Sequence, residues 1–278
     1  MISDFKFSKL KNYFVKELGW GNLYESRIVF NFLCQAAMEC KGGVVLDAGC
    51  GFQRYKPFFY ESTYLGMEHP KAGLANKGII EYDILADAID IPIKANSIDL
   101  ILSTSSLEHI ESPHLFFKEA YRVLKPGGAL YINVPFVYNE HEVPFDFQRP
   151  TRYGLQSFFR KNNFENFTVK PTSSSIYTVL YGFQLVSLYL VSKSKGIKRL
   201  LLRVINKFVF SLVDIIQKIL DFDPQPDEVF PIGWVAIAYK SGSKEELNEK
   251  RSKKDIITDI ALSQKCTIEE NRIISKNV

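Results

Sequence analysis

The sequence predicts an α/β protein built on a doubly wound, mostly parallel sheet, with a helical insert ahead of its last strand. Three observations predict this. Four short runs, VVLD (44–47), TYLGME (63–68), IDLILST (98–104) and GALYINVP (128–135), are apolar on both faces, as strands are when helices cover both sides of a parallel sheet. Helical patterns alternate with these runs, which is the signature of βαβ winding. The first run ends in an aspartate and breaks at once into glycine, VVLDAGCG. A turn of glycines at the carboxyl end of a parallel strand lets the backbone come close to a ligand, because no Cβ stands in the way.

The elements follow in order. Apolar residues at helical spacing predict a helix from Leu23 to Cys40, stopped at Gly42 and Gly43. Between the third and fourth strands, SPHLFFKEAYRVLKPGG opens with a helix start at Ser112-Pro113 and closes with a stop at Pro126-Gly127-Gly128. Residues 136–153, rich in aromatics, prolines and charges, read as a loop. GLQSFFRKNNF reads as a helix and ENFTVKP as a strand. A long apolar insert runs from Ile176 to Phe222, then a turn-rich acidic stretch, then a late strand within 230–240. The tail from Ser241 is polar, charged and free of aromatics, and is expected to be disordered or a loose helix. The predicted organisation is a main domain of residues 1–175 and 223–240, an insert of 176–222, and a tail of 241–278.

Composition sets bounds. At 278 residues, 46% apolar and 24% charged, the chain reads as a soluble globular protein. A net charge of +4 is too mild to make nucleic acid the default partner, so none is expected. Cys34, Cys40, Cys50 and Cys266 form no CxxC pair and no metal-ligand spacing, which predicts reduced thiols, no metal site and a cytoplasmic location. The N-terminus has lysines but no long apolar core, unlike a signal peptide. No uninterrupted apolar run reaches the length of an ordinary membrane span.

Acids recur at the strand ends. Asp47 sits where the first strand runs out, and Glu68 ends the second, where a carboxylate can accept from both hydroxyls of a ribose. Asp83 and Asp87 follow, just ahead of Ile91-Pro92. A nicotinamide-dependent dehydrogenase also uses a glycine turn and a ribose-binding acid, but it requires G-x-G-x-x-G, and this chain has G-C-G-F-Q-R. The ordered set VLDAGCG, DAIDIP, NSIDLIL, SLEHI and YRVLKPGG, over about Leu23 to Lys170, resembles the class I S-adenosylmethionine-dependent methyltransferases, in their type 11-like branch.

That resemblance implies a seven-stranded sheet with an antiparallel last strand, S-adenosylmethionine as cofactor, and a site. Gly49 and Gly51 would form the turn under the cofactor's amino-acid end, and Asp47 would orient that end directly or through water. Glu68 would hold the ribose hydroxyls. Asp87 with Ala88 would lie at the adenine, and Thr104 and Ser105 near the sulfonium arm. A third family glycine is replaced by Gln53, which leaves Gln53 or the neighbouring RYKPFF as further ligand contacts.

The loop 136–153 follows a strand at the ligand-binding edge of the sheet, where loops carry function. It holds Glu140, His141, Glu142, Asp146, Arg149 and Arg152. Its His-x-x-Pro-x-Asp-x-x-Arg pattern resembles a segment of methyltransferases of glycan and cell-surface biosynthesis. His141 is the expected general base of O-methylation of a small molecule or glycan. Either Asp146 orients it or the acceptor, with Arg149 on Asp146 or on an anionic part of the substrate, or the two simply pair and pin the loop. Glu108-His109 is read as a helix-start or packing element, and His69 and His114 as surface histidines without visible partners.

Between Glu165 and Asp214 there is no acid, while Lys170, Lys193, Lys195, Lys198, Arg199, Arg203 and Lys207 fall there. Two readings stand: a helical lid, or an element lying in the inner leaflet with its bases toward anionic head groups. Competing functions are a cofactor-binding docking subunit without catalysis, and a quinone or lipid methyltransferase. The sequence leaves the oligomeric state open.

Overall fold

A computed structural model describes residues 10, 12–13, 24–71, 81–220 and 230–242. The predicted acidic turn and charged tail lie almost wholly outside the described residues. Helix α1 (Tyr24–Glu39) precedes β1 (Val44–Ala48). A 3-10 turn (Lys56–Phe59), β2 (Thr63–Glu68), β3 (Ile84–Leu85) and β4 (Ile98–Thr104) follow. A second 3-10 turn (Leu107–His109) leads to α2 (Pro113–Val123) and β5 (Leu124–Pro135). Then come α3 (Arg152–Lys161), β6 (Phe164–Pro171), α4 (Ser175–Lys193), α5 (Gly196–Leu220) and β7 (Gly233–Lys240).

The sheet has seven strands in the order β3-β2-β1-β4-β5-β7-β6. β1 to β5 pair in parallel, and β7 runs antiparallel to both β5 and β6. The predicted fold class holds, including the antiparallel last strand. From β1 the chain winds first toward β2 and then returns to β4 on the other side. That reversal opens a crevice at the carboxyl ends of β1 and β4, where ligands of such sheets bind.

Side chains alternate across the sheet with a period of two. On β5, Leu130, Ile132 and Val134 join Phe116, Phe117, Phe159 and Trp234 on one face. Ala129 and Tyr131 join Phe32, Leu33, Phe58 and Leu102 on the other. Tyr131 is fully buried, and its hydroxyl is satisfied by donating to Glu39 Oε2 at 2.6 Å.

Two local readings are corrected. β5 starts at Leu124, four residues earlier than the sequence suggests, because Leu124 pairs with Ile98 before a bulge restores pairing at Ala129 with Leu100. Gly127 turns through φ +74, and a Cβ on Gly128 would lie 2.9 Å from the Lys125 carbonyl, so the glycines that read as a helix stop serve the bulge. β3 is two residues long and carries no periodic signal of its own. The loop after β5 ends at the N-cap Thr151, whose side chain accepts from Gly154 N, so α3 opens at Arg152.

The insert forms two helices, α4 and α5, packed on each other. α4, 19 residues with a mean hydropathy of 1.3 and only 17% buried, is long and apolar enough to cross a bilayer. Counting uninterrupted apolar runs in the sequence does not reveal this. Val179, Phe183, Val186 and Leu190 form an exposed stripe on α4. Ile197, Leu201, Val204, Phe208, Leu212 and Ile215 form another on α5. Both follow helical spacing.

Candidate functional site

The bend after β1 is built over the tip of β2. Gly49 N and Cys50 N both donate to the Met67 carbonyl, at 2.9 and 3.1 Å. Gly49 has φ +85, and a Cβ there would sit 2.4 Å from Ser106 Cβ, so only glycine lets the bend pass the segment after β4. Gly51 has φ +54, and a Cβ there would meet nothing within 4 Å. Its amide donates to Glu68 Oε2 at 2.6 Å, while His69 N donates to Oε1 at 2.9 Å. The Glu68 carboxylate is therefore held in place by backbone, and each oxygen keeps a further lone pair.

Asp47 and Gln53 lie beneath this bend rather than in the cleft. Asp47 is 1% exposed; its Oδ2 accepts from the Tyr64 hydroxyl, and its Oδ1 has no hydrogen-bond partner among the described residues. Burial pushes its pKa up to about 7, although the Tyr64 hydrogen bond acts the other way. Gln53, at φ +50, turns under β2: its amide donates to Asp83 Oδ2 at 3.1 Å and its carbonyl accepts from Lys56. Asp83 Oδ2 also accepts from Gly66 N at 2.8 Å. Neither Asp47 nor Gln53 lines the cleft, so a direct contact of either is not what this geometry presents. Phe52, Arg54 and Tyr55 of the same bend do.

The cleft holds about 740 Å³, in the range of small-molecule sites. Gly49, Gly51, Glu68, Asp87, Ala88, Thr104 and Ser105 all line it. Asp87 Oδ1 accepts from Ile89 N at 3.2 Å, and its Oδ2 lies 3.5 Å from His69 Nε2. His69 is thus a cleft residue that spacing along the chain could not reveal; adjacency of β2 and β3 brings it to Asp87. Thr104 Oγ1 and Asn133 Nδ2 are buried and without hydrogen-bond partners among the described residues. Their residues line the cleft, and a polar ligand would satisfy them.

The other end of the cleft is built by the second 3-10 turn and the loop after β5. Glu108 is fully buried, and neither carboxylate oxygen has a hydrogen-bond partner among the described residues. Its Oε1 lies 3.7 Å from His141 Nε2 and 3.9 Å from His109 Nε2. The two imidazoles meet edge to face, centroids 4.7 Å apart. The Glu108 carboxylate raises the pKa of His141, and burial opposes it. Asp146 does not line the cleft. It receives Arg149 through both terminal nitrogens, at 2.5 and 2.7 Å, and accepts from His141 N at 3.0 Å. Arg149 holds its carboxyl down at about 2. Of the two readings of this pair, the geometry is that of a brace behind His141. Tyr181 of α4 reaches the same cleft, and His114 is exposed on α2.

A twisted α/β sheet with a glycine bend and fixed acids on successive strand tips defines a protein that binds a nucleoside-type cofactor at its switch point. Comparison with known proteins narrows the class. Residues 46–132 match the family described as a methyltransferase domain. A tRNA (carboxymethyluridine(34)-5-O)-methyltransferase of Arabidopsis thaliana is 32% identical over 99 residues, 34% of this chain and 24% of that protein. A tRNA U34 carboxymethyltransferase of Campylobacter lari is 26% identical over 171 residues, 54% of this chain and 58% of that one. A solved methyltransferase of Thermotoga maritima, dependent on S-adenosylmethionine, shares 18% identity at a TM-score of 0.46, over 84% of this chain and all of that one. The chain spans less than two thirds of the length of these curated relatives. Over residues 46–132 the chain is thus similar to methyltransferase domains, for which S-adenosylmethionine is the methyl donor. The site fits that cofactor: Gly51 leaves open space, and Thr104 and Asn133 offer unmet polar atoms beside it.

Proposed function

We propose that the chain transfers a methyl group from S-adenosylmethionine to a hydroxyl oxygen of a small molecule or glycan, in keeping with cell-surface polysaccharide chemistry. The observation that carries this reading is the single cleft that joins the Gly49–Gly51 bend, with Glu68 and Asp87, to the Glu108–His109–His141 end. Glu68 would bind the ribose hydroxyls, Asp87 with Ala88 the adenine, and Thr104 with Ser105 the sulfonium side. Asp47 would act from below, by shaping the bend. When bound, the cofactor supplies a methyl on sulfonium sulfur, whose departure leaves a neutral thioether. The chain's own task is to align the acceptor and exclude water. His141 Nε2 would take the hydroxyl proton, a role favoured by its raised basicity, and Asp146 with Arg149 would fix the ring's position.

Calorimetry with S-adenosylhomocysteine tests the cofactor end, with binding expected at about −7 to −8 kcal/mol. Transfer of labelled methyl to a panel of sugars, nucleotide sugars, quinones and tRNA tests the acceptor. The relatives named for tRNA weigh against excluding nucleic acid on net charge alone, so tRNA belongs in that panel. No cofactor binding would defeat the reading, and binding without transfer to any acceptor would favour the docking-subunit alternative.

The α4–α5 hairpin would rest on the inner membrane face. Its exposed apolar stripes are accompanied by Lys193, Lys195, Lys198, Arg203 and Lys207, all exposed, with no acid among residues 166–213. Anionic lipid is the complement of that combination. Spanning would draw the α5 bases into hydrocarbon, whereas lying flat keeps them among head groups. The protein would then be cytoplasmic and peripheral. Flotation with anionic liposomes, intact and lacking 176–222, tests this; equal flotation of both forms excludes it.

A further inference from the structure

The Glu108–His109–His141 cluster has an electrostatic problem that hydrogen bonds do not solve. A fully buried carboxylate without a hydrogen bond is costly by several kcal/mol, and Glu108 is one among the described residues. What faces it are two imidazole nitrogens, and their tautomers can be read from the opposite side of each ring. His109 Nδ1 lies 2.8 Å from the Phe145 carbonyl oxygen. A carbonyl only accepts, so Nδ1 carries the hydrogen and Nε2 the lone pair. His141 Nδ1 lies 3.2 Å from the Asn139 carbonyl oxygen, 3.4 Å from Asp146 Oδ2 and 3.4 Å from Arg149 Nη2. The nearest neighbour is an acceptor, and a neutral ring that donates to it from Nδ1 keeps its lone pair on Nε2.

Two lone pairs and a carboxylate therefore converge. The ligand atoms of Glu108, His109 and His141 lie within 4.8 Å of one another. Around one ion at about 2.1 Å from each, tetrahedral ligands stand about 3.4 Å apart; the two distances to Glu108, 3.7 and 3.9 Å, are close to that, and the spread of the whole set, within 4.8 Å, closes by side-chain rotation of the two partly exposed histidines. A single proton on His141 would serve Glu108 but not the lone pair of His109 Nε2. The backing matches that of ligand histidines, each turned by a hydrogen bond from its far nitrogen. The turn is itself fixed: Phe147 N donates to the Glu108 carbonyl, and Gln148 Nε2 donates to the carbonyls of Leu107 and Ile110.

We infer that Glu108 Oε1, His109 Nε2 and His141 Nε2 form a site for a divalent first-row transition-metal ion, with a coordination position open to the cleft. Two nitrogens and one oxygen select ions of the manganese-to-zinc series over magnesium or calcium. Glu142 Oε2, 3.9 Å from His109 Nε2, is a second carboxylate within reach. The inference shares with the proposed function only the acceptor end of the cleft. An ion there would hold an acceptor oxygen and lower its pKa. With the ion bound His141 would be a ligand, the proton of an ion-held acceptor would leave to solvent water, and the proposed O-methylation would stand without His141 as its base.

The test is a titration of the metal-stripped full chain with Co²⁺, read by its visible absorption and by competition with Zn²⁺. Saturation at about one ion per chain is expected, weakened at least about tenfold in Glu108→Gln, His109→Ala and His141→Ala and unchanged in His114→Ala. Calorimetry with S-adenosylhomocysteine on the same samples reports the folded cofactor end. If Glu108→Gln does not fold, the two histidine variants, whose side chains are partly exposed, carry the comparison. Absence of saturable Co²⁺ binding, or equal binding by all four variants, overturns the site. Homocysteine-nucleoside binding without Co²⁺ removes the metal site and leaves the proposed function; Co²⁺ binding without the nucleoside does the reverse.

Discussion

The amide of Gly51 donates to Glu68 Oε2 at 2.6 Å, which locks the bend after β1 to the acid at the tip of β2. Glu68→Ala removes the acceptor for both Gly51 N and His69 N. It is expected to weaken S-adenosylhomocysteine binding by about 10- to 100-fold, or about 1.4–2.8 kcal/mol, and to lower stability by about 1–3 kcal/mol. Asp87→Ala, at a side chain 41% exposed, should weaken binding with little change in thermal midpoint. Calorimetry and thermal unfolding of both variants separate the two effects, and unaltered affinity in both would displace the proposed cofactor site.

The two glycines of the bend are expected to differ in kind. A Cβ on Gly49 would overlap Ser106 at 2.4 Å with φ at +85, so Gly49→Ala should cost about 3 kcal/mol or more. A Cβ on Gly51 meets nothing within 4 Å. Gly51→Ala should cost only the left-handed backbone penalty of about 1–2 kcal/mol. Denaturant unfolding checks the order, which fails if Gly51→Ala is the more damaging.

Asp47 makes stability fall with rising pH. Its folded pKa, raised by burial to about 7 from 3.8, means the folded state binds more protons than the unfolded state between those values. By linkage the folded state then loses stability across that window as pH rises, and the loss is complete above about pH 7. Asp47→Asn can keep an oxygen for Tyr64 and has no charge to bury. It should flatten the decline between about pH 4 and 7, where one group contributes at most about 1.4 kcal/mol per pH step of one. Urea unfolding at stepped pH measures the slope; a variant as steep as wild type would contradict the assignment.

Asp146 acts with the opposite sign. Arg149 depresses its pKa from 3.8 to about 2, so its stabilisation is present above about pH 4 and is lost as pH falls through about 2. Asp146→Asn should cost about 1–3 kcal/mol at neutral pH, where Arg149 loses its partner. The variant should converge with wild type in acid. Persistence of the full difference at about pH 2 would show that the pair's charge is not the cause.

The strands and the glycine bend were legible from local sequence alone. Buried parallel strands must be apolar on both faces, so 44–47, 63–68 and 98–104 stand out, and a close backbone approach calls for glycine wherever it occurs. The acids at the tips of β1 and β2 were legible for the same reason, as was the basic run without acids between Glu165 and Asp214. What only the tertiary structure decided was direction and company. Asp47 turns beneath the bend toward Tyr64, and Gln53 turns toward Asp83. Glu108, next to a strand end like many packing residues, loses all access to water and meets His141 across an interval of chain that carries no spacing signal. A residue's chemistry is set by its type, but its charge state and partners depend on which strand tips and loops the sheet order brings together. That order rests on burial summed over the whole core, and no short stretch of the chain contains it.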